Sequence, residues 1–149
     1  MANCGDLMNA PSRRPLARSC YSRRMNLKYS MLPGRFAVCR LPADSPAPTI
    51  PNTSLLFSVT RTADELSIVC LQEDAPDEAK VETGWVCFKL HGPFAFDQTG
   101  ILAGFVGPLA DYGIPIFAVS TFDTDYVFIK PEFAGMANDA LRAAGHELT

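Results

Sequence analysis

The stretch Phe94-Ala-Phe-Asp-Gln-Thr-Gly-Ile-Leu-Ala-Gly-Phe-Val-Gly-Pro-Leu-Ala-Asp-Tyr-Gly-Ile-Pro-Ile-Phe-Ala-Val-Ser-Thr-Phe-Asp-Thr-Asp-Tyr-Val-Phe-Ile129 holds a change of apolar period that decides the fold class. Ile101, Leu102, Phe105, Val106 and Leu109 make one stripe on a helix. Asp97 or Thr99 suits the cap at its start, and Gly113 can end it in the left-handed conformation. Residues 114–122 and 125–130 then return to β character. Upstream, Trp85-Val-Cys-Phe-Lys-Leu90 reads as a strand with Val86, Phe88 and Leu90 on one face, because side chains alternate along a strand. Downstream, Pro131 suits the first turn of a second helix that buries Phe133, Met136, Ala137, Leu141 and Ala144 and ends at Gly145. The order β-α-β-β-α predicts an α+β fold with antiparallel sheets, of ferredoxin-like type.

The first half carries no comparable helical stripe. Residues 26–32 and 35–41 flank Pro33-Gly34, which predicts a hairpin or a bent strand pair. The prolines at 42, 46, 48 and 51 make residues 42–52 a surface loop, since each lacks a backbone donor. Residues 54–60 and 66–72 read as a hairpin turning at 61–65, and the acid-rich segment 73–82 as a solvated connection.

Length bounds the chain to one ordinary domain, or two very small ones sharing a core, at 149 residues. An apolar fraction of 48% with 19% charged residues permits a buried core, and mean hydropathy is +0.07. No run approaches the ~20 apolar residues of a bilayer-spanning helix, and no secretory apolar region opens the chain, so a cytoplasmic protein without a membrane partner is expected. Net charge is −3 and unevenly spread: residues 1–24 hold five Arg against Asp6 alone. That segment reads as a transit sequence, an anion-binding arm or an unstructured extension, of which a disordered extension is favoured. The remainder is acidic, which argues against a nucleic-acid partner.

Little in the sequence supports catalysis. Of the two histidines, His91 and His146, the latter lies near the chain end, where fraying would spoil a catalytic geometry. Five cysteines form no close ligand pair, so no metal or other cofactor is expected. Cys87 and His91 sit roughly 13 Å apart on a regular strand, too far to share a zinc ion. Cys39, Cys70 and Cys87 lie in apolar β-like runs that suit inert buried thiols. Gly104 and Gly107 fall inside the predicted helix, where they favour close packing over phosphate binding.

Residues 94–129 resemble the ACT domain family, including the ACT units of aspartate kinase regulatory regions and of the CASTOR arginine sensors. The likeness rests on Thr99-Gly100-Ile101, on Gly107-Pro108-Leu109-Ala110 with Gly113-Ile114, and on Ser120-Thr121-Phe122-Asp123-Thr124-Asp125-Tyr126. It extends to the final helix, and more weakly to residues 26–82, which resemble the degenerate first half of small bacterial tandem-ACT proteins. The resemblance implies tandem ferredoxin-like units of βαββαβ type, with helices on one face of the sheets. It divides the chain into a degenerate ACT-like domain at 25–83 and an ACT domain at 84–149.

It further implies a non-catalytic regulatory protein that binds a free amino acid in a cleft between ACT units. The implied ligand residues are Asp97, Gln98, Thr99, Gly100, Ile101, Ser120, Thr121, Phe122, Asp123 and Asp125. Helix-start N–H groups around 98–101 suit the ligand carboxylate. Asp97, Asp123 and Asp125, with carbonyls near Thr121 and Phe122, suit its ammonium. Gln98 stands where the arginine-sensing relatives carry an acid, which points away from arginine. Spacing alone also allows Asp123 and Asp125 to be Asx-turn formers. The competing functional expectation is a structural dimerisation module with an empty cleft, and a small enzyme comes third. A homodimer is expected through an exposed edge strand.

Overall fold

The computed structural model describes residues 25–52 and 54–149, and the expected extension at 1–24 lies outside them. Chain order is β1 (Lys28–Met31), β2 (Phe36–Leu41), β3 (Ser58–Arg61), β4 (Leu66–Leu71), β5 (Lys80–Leu90), α1 (Ile101–Asp111), β6 (Phe117–Ser120), β7 (Asp125–Ile129), α2 (Ala134–Ala143) and β8 (Glu147–Leu148). From β5 onward the order is βαββαβ, the α+β ferredoxin-like pattern.

The strands form one sheet built around β5. Along it the order is β3-β4-β2-β5-β1-β8, and β7 pairs with β5 while carrying β6. The segments around Pro33-Gly34 are a bent strand pair and not a hairpin. β1 and β2 run antiparallel to successive stretches of β5, Met31 facing Phe88 and Phe36 facing Trp85. Gly34 makes the bend at φ 89°, a left-handed value that favours glycine. Residues 58–61 and 66–71 do form the expected hairpin, whose turn is closed by the Thr62 hydroxyl accepting from the Asp64 and Glu65 N–H groups.

Pairing with β2 also extends β5 back to Lys80, because Val38 faces Glu82 and Arg40 faces Lys80. The polar segment 73–82 is therefore partly strand. β5 runs through the expected 83/84 domain boundary. β1 stands between β5 and β8, so the first of the described strands sits inside the sheet of the second half.

Alternation along β5 splits the core. Val86, Phe88 and Leu90 face the helices, meeting Phe105 and Leu109 of α1 and Ala137 and Leu141 of α2. Tyr29 packs edge-on against Phe88 and Phe105, at 5.3 and 5.2 Å between ring centroids. Cys87 and Phe128 face the other side, against Phe36, Leu56 and Val69. Pro131 opens a single 3-10 turn, Pro131–Phe133, and α2 starts only at Ala134.

Candidate functional site

The site forms where the start of α1 meets two loops. Neither Asp97 nor Thr99 caps α1. Gly100 occupies the cap position at φ 81° with no side-chain cap, a left-handed turn into the helix that glycine tolerates. Gly104 N–H donates to Gly100 O at 2.8 Å, which begins the intrahelical ladder. The N–H groups of Ile101, Leu102 and Ala103 precede that ladder and have no partner within the helix. These residues line a cleft of about 320 Å³.

The loop before α1 is braced by Gln98, whose Oε1 accepts from Ala95 N–H at 2.9 Å while its own N–H donates to Ala95 O at 3.0 Å. Across the cleft, the β6–β7 turn is closed by Thr121. Its N–H and hydroxyl both donate to Thr124 O at 2.8 Å. The Asx-turn alternative for Asp123 and Asp125 is thus not what shapes this turn. The Ser120 hydroxyl donates to the Asp125 carboxylate, and the buried Thr124 hydroxyl donates to Leu90 O at 2.7 Å.

The two loops touch through Phe94 N–H, which donates to Asp123 O at 2.9 Å. Gly92 permits that approach, since a Cβ there would lie 2.3 Å from Asp123 O. At the mouth, Phe96 and Phe122 meet edge to face, 5.0 Å between centroids and 84° between planes.

Of the expected ligand residues, Gln98, Gly100, Ile101, Ser120, Thr121, Phe122, Asp123 and Asp125 line this cleft. Asp97 and Thr99 do not. Sequence reasoning passed over Phe94, Ala95, Phe96, Leu102, Ala103 and Thr124, which also line it. Gly92-Pro93, a turn dipeptide, was the one available signal for the loop contact.

Other reactive groups are engaged elsewhere. Burial pushes the Cys70 and Cys87 thiols up to about 12, and Cys39 is raised for the same reason, so none is a ready thiolate. Among the described residues no group of three or more His, Cys, Asp or Glu side chains is placed to hold a metal.

His146 is not frayed. It is 6% exposed, accepts Leu27 N–H at Nδ1 (3.2 Å), and its Nε2 lies 3.2 Å from Gly104 O. Pro108 explains that second contact. Lacking an N–H, it cannot satisfy Gly104 O four residues back, and His146 supplies the missing donor. Gly104 also leaves room for Met25, whose Cε lies 2.8 Å from where a Cβ would stand. Gly107 has nothing within 4 Å of its would-be Cβ, so close packing does not account for it.

Residues 80–143 match the family model described as ACT domain, and residues 34–78 match a second model, of an N-terminal domain. The chain belongs to the ACT-domain family. Among solved structures it is similar to protein Atu0741 from Agobacterium tumefaciens, at 42% identity over 84% of this chain and 93% of that one, with a TM-score of 0.77.

A Vibrio cholerae protein of unknown function, described as a possible transport protein, shares the fold at 17% identity and TM-score 0.61, covering 80% of this chain and 91% of that one. The regulatory subunit of aspartate kinase from Thermus thermophilus, in a ligand-free form, does so at 12% identity and TM-score 0.57, covering 82% of this chain and 99% of that one. No curated protein matches. Among the described residues no helix is long and apolar enough to cross a membrane.

Proposed function

We propose that this protein is a non-catalytic sensor that binds a free amino acid in the cleft at the start of α1 and passes occupancy to a protein partner or through its own oligomer. One observation carries the reading: a single cleft is lined both by Ile101, Leu102 and Ala103, whose first-turn N–H groups have no partner within the helix, and by the acidic residues Asp123 and Asp125. Donors on one wall and anionic acceptors on the other suit a zwitterion, whose carboxylate and ammonium need opposite partners. Membership of the ACT family, and a fold shared with an aspartate kinase regulatory subunit, support a regulatory role over a catalytic one.

Among the described residues β6 pairs only with β7, which leaves one of its edges for a second chain. We expect a homodimer, and sedimentation showing only monomer at tens of micromolar would exclude that partner. The main test is a thermal-shift screen of the twenty amino acids. A ligand at 100 times its Kd adds ~2.7 kcal/mol to stability. No shift with any of them at millimolar concentration would leave the structural dimerisation module as the better account.

A further inference from the structure

Resting on that reading of the cleft, we infer that the ligand is an amino acid with an uncharged apolar side chain, packed against the paired, exposed rings of Phe96 and Phe122. These two residues are 80% and 78% exposed, yet their rings contact each other across the mouth of the cleft. Phe94, Ile101 and Leu102, partly buried against the helix-side core, supply an apolar floor.

The polar lining is already occupied. The hydroxyls of Ser120, Thr121 and Thr124 donate to Asp125, Thr124 O and Leu90 O, and Gln98 Oε1 accepts from Ala95 N–H. Asp123 and Asp125 are the charged groups left, and no cationic side chain lines the cleft among the described residues. An acidic side chain therefore faces two carboxylates and no cation, a basic one competes with the ligand's own ammonium for those carboxylates, and a polar one finds the hydroxyl donors engaged. An apolar side chain removes the two phenyl faces and the floor from water without asking for a partner. The volume of about 320 Å³ sits at the small end of the ~300–1,000 Å³ usual for small-ligand sites, which suits a single amino acid.

Calorimetric titration of the full chain with glycine, leucine, phenylalanine, arginine and aspartate tests this, alongside Phe96→Ala and Phe122→Ala. Leucine or phenylalanine should bind about tenfold or more tighter than glycine, arginine or aspartate. Each alanine variant should weaken leucine binding by about three- to tenfold and weaken glycine binding by a smaller factor. Both rings are solvent-exposed, and a melting transition matching the parent's confirms that each variant is folded.

Arginine or aspartate binding tighter than leucine would overturn the side-chain class and leave the amino-acid reading standing. So would leucine affinity that neither variant changes. Binding of none of the five, with only polar or charged amino acids active in the thermal screen, overturns the inference alone. Silence of all twenty overturns both.

Discussion

The parts of the molecule before and after Trp85 share one strand and differ in how they settle their backbone groups. Before it, satisfaction is strand to strand: β4 lies between β3 and β2, and β2 between β4 and β5. Even the proline-rich loop is tied down, with the Arg61 guanidinium donating to Ala43 O and Ser45 O. After it, the two helices introduce ends and a proline that strand pairing cannot satisfy. The gap at Pro108 is closed by His146, whereas the first turn of α1 stays open to the cleft. The proposed recognition site lies where the start of α1 is left without a side-chain cap, and among the described residues the first half has no α-helix to supply one.

The largest expected effect breaks the comparison by striking what both parts share. Phe88 is fully buried on β5, so Phe88→Ala should cost ~3–5 kcal/mol and unfold both parts in one transition. Two separate transitions in denaturant would show that the parts fold independently. Next, Gly92→Ala places a Cβ against Asp123 O and should cost about 1–3 kcal/mol, with loss of ligand binding as the 121–124 turn shifts. Unchanged affinity would mean that this turn does not shape the site.

Asp125→Asn sharpens the contrast between folding and binding. The amide oxygen can still accept from Ser120, so stability should hold while ligand affinity falls by ~1.5–3 kcal/mol, as measured by calorimetry. Retained affinity would move the ammonium site elsewhere.

A smaller effect concerns acid. Burial holds the His146 pKa below its ordinary 6.5, with the Gly104 contact opposing the shift. Because the folded-state value is depressed, the fold selects the neutral ring. That contribution is whole above about pH 6.5 and is lost as pH falls from there toward the folded-state value. Urea unfolding from about pH 7.5 down to about pH 5 should show a loss of stability that His146→Asn reduces, and equal slopes in both proteins would contradict the assignment.

The smallest effect is expected of a chain shortened to begin at Met25, which keeps the contact over Gly104 and should melt as cooperatively as the parent. Gln98→Glu complements these tests. One carboxylate oxygen can replace Oε1 as the acceptor for Ala95 N–H, so the variant should stay folded and shift preference toward basic amino acids.

Much of this was legible in the chain because it depends on local period. The stripe Ile101, Leu102, Phe105, Val106 and Leu109 marked α1, and the alternation Val86, Phe88, Leu90 marked the helix-facing side of β5. Where the reading failed, tertiary pairing outweighed composition. Residues 80–84 hold Val81 as their single large apolar side chain, yet they are strand because β2 offers a ladder beside them. The cap at Gly100 was misplaced because Asp97 and Thr99 have the right chemistry, while the loop enters the helix through a left-handed residue.

The sequence by itself determined the β-α-β-β-α order of the second half and the residue types around the site, since period and turn chemistry act over a few neighbours. Only the tertiary structure decided that β1 stands between β5 and β8, that His146 answers the carbonyl freed by Pro108, and that Phe96 meets Phe122 across a cleft. The residues of these contacts lie 26 or more positions apart, and no local pattern encodes which distant surface will satisfy an open hydrogen bond or cover an apolar face.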